Sequence, residues 1–286
     1  MSTDKDQLRF AFGANWSRFL ANLTDERIRQ AEESIRHMLH VSDLRGRRFL
    51  DIGCGSGLFS LAARRLGASV FAFDYDPQSV ACAEELKRCY FPDDPAWTTC
   101  RGSALDADFL SSLGQFDIVY SWGVLHHTGD MWRALTNVVP LVEPGGTLFI
   151  SIYNDQGYLS RRWTAVKRTY NRLPPAIRWL LPVFFFIVLW WRQLAIDTIK
   201  LHPLRNVSYR GRGMSAWTDM VDWVGGYPFE VAKPEAIFEF YRDRGFQLQM
   251  LKTCGGGIGC NQYVFTRSAA PIAPALCAPS DVTVSH

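Results

Sequence analysis

Residues 49–60, FLDIGCGSGLFS, constrain the fold of this chain more than any other stretch. A short apolar strand ends in an acid, three glycines follow at alternate positions, and an apolar helix begins directly behind them. A glycine-rich turn between a strand and a helix lets a ligand approach the backbone and the helix N-terminus. The stretch therefore predicts the opening strand, loop and helix of an α/β domain, with a ligand site at the loop.

Strand-like and helix-like segments continue to alternate after this start. The predicted strands read RFLDI, SVFAFD, WTTCRG, FDIVYS and TLFISIY. Such alternation is typical of a parallel sheet with helices on both faces. The pattern stops after residue 153 and resumes with a helix at 234–244. The last two strands, FQLQMLKT and QYVFTR, must pair antiparallel, because the link between them is too short for a parallel crossover.

The same patterns divide the chain into five predicted regions. Helical spacing, broken at a candidate N-cap at Thr24, fills the start of the chain, and a polar, loosely composed tail ends it. The predicted regions are an N-terminal helical cap at 1–46, a ligand-binding core at 47–152, an insertion at 153–233, a C-terminal helix with antiparallel strands at 234–267, and a disordered tail at 268–286. Phe12 and Trp16 of the cap are candidate lid residues.

Two acids indicate which ligand the glycine loop binds. The glycines are spaced G-x-G-x-G rather than G-x-G-x-x-G, and Asp51 stands two residues before the first of them, where it would repel a pyrophosphate. Asp74 ends the second strand, where it can accept hydrogen bonds from ribose hydroxyls or, alternatively, cap the next helix. The glycines alone also fit a plain tight turn. Together, the two acids favour a phosphate-free nucleoside that carries an ammonium group.

These motifs resemble those of class I S-adenosylmethionine-dependent methyltransferases, in particular the ubiquinone-biosynthesis and small-molecule O-methyltransferase group. The resemblance covers residues 47–152 and 234–267. It implies an α/β fold with a Rossmann-like seven-stranded sheet whose last strand is antiparallel, an N-terminal helical cap and a long helical insertion after the fifth strand. It also implies S-adenosyl-L-methionine as the cofactor, and we expect no metal site.

The resemblance implies cofactor contacts from the glycine loop, the second strand, the adenine loop and the fourth strand. The residues concerned are Asp51, Gly53, Cys54, Gly55, Gly57, Asp74, Tyr75, Ser103, Ala104, Ser121 and Trp122. The adenine loop departs from the Gly-Asp-Ala that relatives often carry, because Ser103 replaces the acid. Either the Ser103 hydroxyl or Asp106 can accept a hydrogen bond from the adenine amine.

Candidate catalytic residues follow the fourth and fifth strands, where an α/β sheet places its site. His127 matches a position where such relatives tend to carry histidine, and it is the candidate general base. His126 and Tyr153 are further candidates. Each also has a structural alternative, since either histidine can order the loop and Tyr153 can stack on a ligand or simply end its strand. Motifs of nucleic-acid base methylation are absent after the fourth strand, so no nucleic-acid partner is expected.

The insertion determines which acceptor the protein binds. Residues 179–191 hold twelve apolar side chains and one proline, without a charge. As a helix they would run about 20 Å, too short for a bilayer core of about 30 Å. Three alternatives for covering them stay open: a buried lid over the site, a partner subunit, or lipid. Residues 161–212 carry eleven Lys and Arg against one acid, which suits peripheral membrane contact through 173–201, while a buried lid over the site is the first choice of the three.

The predicted function is O-methylation of a small lipophilic, aromatic or lipid-linked acceptor. The alternatives are an NAD(P)-dependent oxidoreductase and a non-catalytic S-adenosylmethionine-binding scaffold. The polar start MSTDKDQLRF lacks a signal peptide, and the seven cysteines form no C-x-x-C pair. The expected location is therefore the cytoplasm, with the inner face of a membrane as a peripheral alternative.

Overall fold

The computed structural model describes residues 9–10, 12–13, 23–188, 216–257 and 259–269. Within these ranges, the strands are β1 (Arg48–Ile52), β2 (Ser69–Asp74), β3 (Trp97–Arg101), β4 (Phe116–Trp122), β5 (Val142–Tyr153), β6 (Phe246–Lys252) and β7 (Cys260–Arg267). The helices are α1 (Asp25–Leu39), α2 (Leu58–Arg65), α3 (Pro77–Tyr90), α4 (Ala107–Ser112), α5 (Met131–Val138), α6 (Tyr158–Arg172), α7 (Pro175–Arg178), α8 (residues 180–188), α9 (Ala216–Gly225) and α10 (Pro234–Arg242).

One seven-stranded sheet, in the order β3-β2-β1-β4-β5-β7-β6, organises the described chain. Strands β1 to β5 pair in parallel, and β7 pairs antiparallel with both β5 and β6. The strand order reverses between β1 and β4, which opens a crevice at their carboxyl ends. The predicted fold class is confirmed, including the antiparallel end of the sheet.

Side-chain caps set where the helices begin. Thr24, the predicted N-cap of α1, accepts a hydrogen bond from the Arg27 backbone N–H at 3.4 Å. Asp76 and Asp130 cap α3 and α5 in the same way. Each cap satisfies a backbone donor that has no partner within the helix.

Apolar side chains pack on both faces of the sheet. Neighbouring strand residues point to opposite faces, so that Phe49 joins the core under α1, α2 and α3, whereas Leu50 joins the core under α5 and α10. A third, smaller core lies between α6, α8 and α9, around Trp163 and Val224. This third core attaches the insertion to the carboxyl end of β5, because Tyr153 packs against it.

The apolar run at 179–191 is divided between two faces where the structure describes it. Leu181, Phe185 and Phe186 pack against the third core, whereas Phe184 and Ile187 are 57% and 53% exposed. The segment is therefore not a fully buried lid. No described helix has both the length and the apolar character needed to cross a membrane.

Several predictions concern residues that lie outside the described ranges. They include the predictions for Trp16, for the tail from residue 270, and for the end of the apolar run at 189–191. The division of the chain into five regions stays a prediction.

Lys167 of α6 is fully buried within the third core. Its Nζ lies 4.3 Å from the centre of the Trp223 ring and 4.6 Å from that of Phe229, and it donates a hydrogen bond to the Trp223 carbonyl. Aromatic ring faces and a carbonyl oxygen stabilise a cation that has been removed from water. Burial nevertheless lowers the pKa of Lys167 to about 7.

We expect Lys167→Met to change how the stability of the protein depends on pH. The folded-state pKa lies below the usual value, so holding the charged amine costs stability below about pH 7, and this cost disappears as the pH rises. The free energy of unfolding of the variant, relative to wild type, should fall by on the order of 2 kcal/mol between about pH 6 and about pH 9. Urea denaturation at both pH values measures this, with Lys233→Met at an exposed position as the control. A difference that does not vary with pH would contradict the assignment.

Candidate functional site

A cavity of about 1260 Å³ opens at the carboxyl ends of β1, β2 and β4. The glycine loop after β1 and the adenine loop after β3 form part of its wall, and α1, α9 and the N-terminal residues Arg9, Phe10 and Phe12 also line it. Drug-sized ligands occupy pockets of about 300–1,000 Å³. This cavity is therefore large enough for a nucleoside cofactor together with a second molecule.

Two carboxylates stand at the glycine loop, one buried (Asp51) and one half-buried (Asp74). Asp51 lines the cavity at the end of β1, and one of its oxygens accepts a hydrogen bond from the Ser60 hydroxyl at 2.5 Å. Asp74 ends β2 and accepts hydrogen bonds from the backbone N–H groups of Gly55 and Asp76, both at 2.9 Å. The second of these acids therefore holds the loop in shape while it faces the cavity.

Neither acid forms an ion pair with any residue that the structure describes. Burial, together with the charge of the nearby Asp74, raises the pKa of Asp51 to about 7. Burial also raises the pKa of Asp74. Buried carboxylates without a cation are costly in isolation, and they suit a ligand that brings its own positive charge. A pyrophosphate would add a further negative charge at the same place.

Gly57, predicted to contact the cofactor, has a different role. It is the N-cap of α2 with φ of +80°, and a Cβ there would lie 2.8 Å from the Cα of Ala83 in α3. It is not part of the cavity wall. Its missing side chain lets the two helices approach each other, and the cavity is lined instead by Gly53, Cys54 and Gly55.

The adenine loop places its predicted residues on the cavity. Ser103 and Ala104 line the wall, whereas Asp106 caps α4 through a hydrogen bond from the Phe109 backbone N–H. Of the two candidates for the adenine amine, Ser103 therefore lies on the cavity. Tyr75 also lines the wall, and the guanidinium carbons of Arg9 and Arg101 lie 4.4 and 5.6 Å from its ring centre. The alternative role of Asp74 as a helix cap is wrong, because Asp76 caps α3.

The two predicted cofactor residues of strand β4 lie on opposite faces of that strand. Trp122 lines the cavity together with Tyr120, because every second side chain of a strand points to the same face. Ser121 points to the other side, where it is buried and donates a hydrogen bond to the Ile52 carbonyl at 3.2 Å. The prediction that Ser121 contacts the cofactor is therefore not supported, since the neighbouring residue occupies the correct face.

The two histidines after β4 differ in their access to the cavity. His127 lines the wall, and its Nδ1 lies 2.6 Å from the Pro228 carbonyl oxygen. A carbonyl only accepts, so Nδ1 carries the hydrogen and Nε2 is the basic nitrogen. Burial lowers the pKa of His127 to about 3, so the ring is neutral near pH 7. His126 is fully buried with its ring centre 4.1 Å from that of Tyr153, and it does not line the cavity.

A family model described as a methyltransferase domain matches residues 23–195, more than half of the chain. The chain belongs to this methyltransferase domain family. The resemblance that the motifs indicated is thereby confirmed at the level of the family, and the oxidoreductase alternative is set aside.

The methyltransferase domain has relatives of known name. The ubiquinone biosynthesis O-methyltransferase of Xanthomonas campestris pv. campestris (strain B100) is 36% identical over 111 residues, which cover 39% of this chain and 45% of that protein. The enzyme of the same name from Rhizobium etli (strain CIAT 652) is 35% identical over 113 residues, covering 39% of this chain and 43% of that protein. The match therefore spans less than half the length of these relatives.

The fold of the methyltransferase domain also has solved counterparts. The magnesium protoporphyrin IX methyltransferase ChlM from Synechocystis PCC 6803, solved with bound SAH, superposes with a TM-score of 0.54. It is 15% identical, and the alignment covers 92% of this chain and 98% of that chain. At this identity the likeness supports the shared fold.

Several cavity residues outside the matched range were not named as site residues from the sequence. Met220, Asp222 and Trp223 of α9 line the wall opposite the glycine loop. Arg9 binds the carbonyls of His127 and Thr128 at 3.1 and 3.0 Å and so holds the N-terminal segment across the site. The only available signal was the aromatic and acidic composition of the segment that contains α9.

The predicted lid residue Phe12 lies on the cavity wall. Its ring centre is 5.1 Å from that of His127. The backbone N–H of the next residue, Gly13, donates to Asp76 at 2.9 Å, and the Phe10 N–H donates to the Tyr227 carbonyl at 3.0 Å. Backbone hydrogen bonds on both sides therefore hold Phe12 over the site.

We expect Asp51→Asn to weaken S-adenosylmethionine binding and to change its pH dependence. In wild type, only the ionised carboxylate attracts an ammonium group, so affinity should rise about tenfold from about pH 6 to about pH 8 as a group of pKa about 7 ionises. In the variant, affinity should be at least about tenfold lower at the higher pH. Calorimetric titration measures both, and comparison with the variant accounts for titration of the cofactor's own amine. An unchanged pH slope in the variant would contradict this role for Asp51.

Proposed function

We propose that the protein is an S-adenosylmethionine-dependent methyltransferase that methylates an oxygen atom of a lipophilic, aromatic acceptor. The single observation that carries this proposal is the composition of the cavity. One end presents two carboxylates, the buried Asp51 and the half-buried Asp74, which have no cationic partner among the described residues, and the other presents aromatic side chains beside a neutral histidine.

The cofactor end fits S-adenosylmethionine residue by residue. Asp51 would hold the ammonium group, Asp74 the ribose hydroxyls, and Ser103 the adenine edge, as the family resemblance implies. The bound cofactor supplies a methyl group on a positively charged sulfur. The residues of the loop need only hold it, since the carboxylates carry the complementary charge and the glycines, which have no side chains, leave room for the ligand.

Aromatic side chains form most of the acceptor end of the cavity. Phe10, Phe12, Tyr153 and Trp223 line it, with Met220 among them. Aromatic walls of this kind stack on flat, apolar molecules and offer few hydrogen bonds. The names of the bacterial relatives, which are O-methyltransferases of ubiquinone biosynthesis, agree with an acceptor that carries a hydroxylated ring.

His127 limits the kind of hydroxyl that can react. Its Nε2 can accept a proton, and the Pro228 carbonyl would stabilise the resulting ring cation through Nδ1–H. Burial opposes that cation, and so do the positive charges of Lys167 and Arg9. A base of this weakness removes a proton only from an oxygen that gives it up readily. The site therefore favours a phenol or an enol over an aliphatic alcohol.

We expect a series of apolar phenols of graded acidity to reveal the role of His127. For a phenol that is already ionised at the assay pH, His127→Gln should have little effect. For a phenol that stays protonated, kcat should fall by about 10² or more, because the transfer then needs a base. Cofactor affinity should be unchanged. Mass spectrometry of the product and the pH dependence of kcat/KM measure these effects, with His40→Asn at an exposed position as the control.

The alternatives give different outcomes in the same assay. An equal loss of kcat for both phenols would assign His127 a purely structural role. Transfer to amines without transfer to phenols would overturn the choice of an oxygen acceptor. Cofactor binding without transfer to any acceptor fraction would support the non-catalytic scaffold.

A further inference from the structure

We propose that the outer face of helices α7 and α8, together with the exposed arginines of α6 and α7, binds the surface of an anionic lipid bilayer. This surface is called the insertion face below. The inference concerns where the protein sits and does not rest on the methylation chemistry, so the two can fail separately.

The insertion face is apolar over a continuous helical stripe. Leu180, Phe184, Ile187 and Val188 recur at helical spacing, and between 47% and 57% of each side chain is exposed. Trp179, directly before α8, is 53% exposed. The opposite side of α8 is already used, since Phe185 packs against Trp163 of α6 with ring centres 4.9 Å apart. The stripe is therefore an outward face that the described core leaves uncovered.

The charged side chains of α6 and α7, and of the chain that joins them to α8, all have one sign. Between Asp155 and Asp197 the sequence contains no carboxylate. The exposed arginines of α6 and α7 are Arg161, Arg162, Arg168, Arg172 and Arg178. None of them forms an ion pair with any carboxylate in the part of the chain that the structure describes.

This combination distinguishes lipid from the other occupants. A second copy of the chain docked through the same face by a two-fold axis would bring arginines against arginines. A bilayer with anionic headgroups offers both complements at once, an apolar layer for the stripe and negative charge for the basic rim. An aromatic residue such as Trp179 suits the boundary between these two layers.

The insertion face lies one layer of aromatic rings away from the cavity. Trp163, which contacts Phe185 of α8, is also 5.2 Å from the ring centre of Trp223, and Trp223 lines the cavity wall. A bilayer bound at this face would therefore lie close to the aromatic end of the site.

Vesicle flotation of the full chain tests the proposal. Protein should float with vesicles of phosphatidylcholine and phosphatidylglycerol and stay at the bottom with phosphatidylcholine alone, and added salt should reduce the bound fraction. Phe184→Glu should weaken binding to the anionic vesicles at least about tenfold. Its matched control is Phe238→Glu, the same change at an exposed apolar position on α10, which should bind as wild type does.

The basic rim has its own test. Arg172→Gln should weaken binding about fivefold, as expected for one cation near an anionic surface. Arg133→Gln, at an exposed position on α5, is the matched control and should leave binding unchanged. Circular dichroism and thermal unfolding of each variant confirm that the fold is intact.

Three results would overturn the proposal. Wild-type protein could fail to float with anionic vesicles at low salt. Phe184→Glu, folded normally, could bind as wild type does. Sedimentation velocity without lipid could show a dimer that Phe184→Glu converts to a monomer, in which case the insertion face is an interface between copies of the chain.

Discussion

The arrangement of the site depends on two carboxylates, the buried Asp51 and the half-buried Asp74, that have no cationic partner among the described residues. Asp51 and Asp74 stand at the carboxyl ends of adjacent parallel strands, so the sheet brings them to the same glycine loop. Burial raises the pKa of both groups, which is the cost of keeping negative charge out of water. The backbone N–H groups of the loop offset part of this cost. A cationic ligand would offset the rest, and this requirement separates the site from the dinucleotide sites of similar folds.

The insertion after β5 has two sides that differ in chemical character. Its inner side supplies Trp223 to the cavity and encloses the Lys167 amine among aromatic rings. Its outer side presents the apolar stripe of α8 and a basic rim. A single packed layer around Trp163 thus has the candidate acceptor site on one side and the proposed membrane contact on the other.

Sequence patterns predicted the parts of the fold that follow from local rules. The strands, the Thr24 cap and the antiparallel end of the sheet follow from periodicity, capping chemistry and loop length. Side-chain direction and access were harder to predict. Ser121 and Trp122 are neighbours, yet only Trp122 faces the cavity, and the face is fixed by the register of β4 against β1 and β5. The burial of Lys167 could not be predicted from the sequence either, because the aromatic rings that surround it come from distant parts of the chain.

The most direct measurement is a pair of calorimetric titrations of the wild-type protein, one with S-adenosylmethionine and one with NAD, under the same conditions. If Asp51 and Asp74 select a positively charged nucleoside without phosphate, S-adenosylmethionine will bind and NAD will give no heat of binding. Binding of NAD with no binding of S-adenosylmethionine would contradict the account, because it would place a diphosphate against two carboxylates.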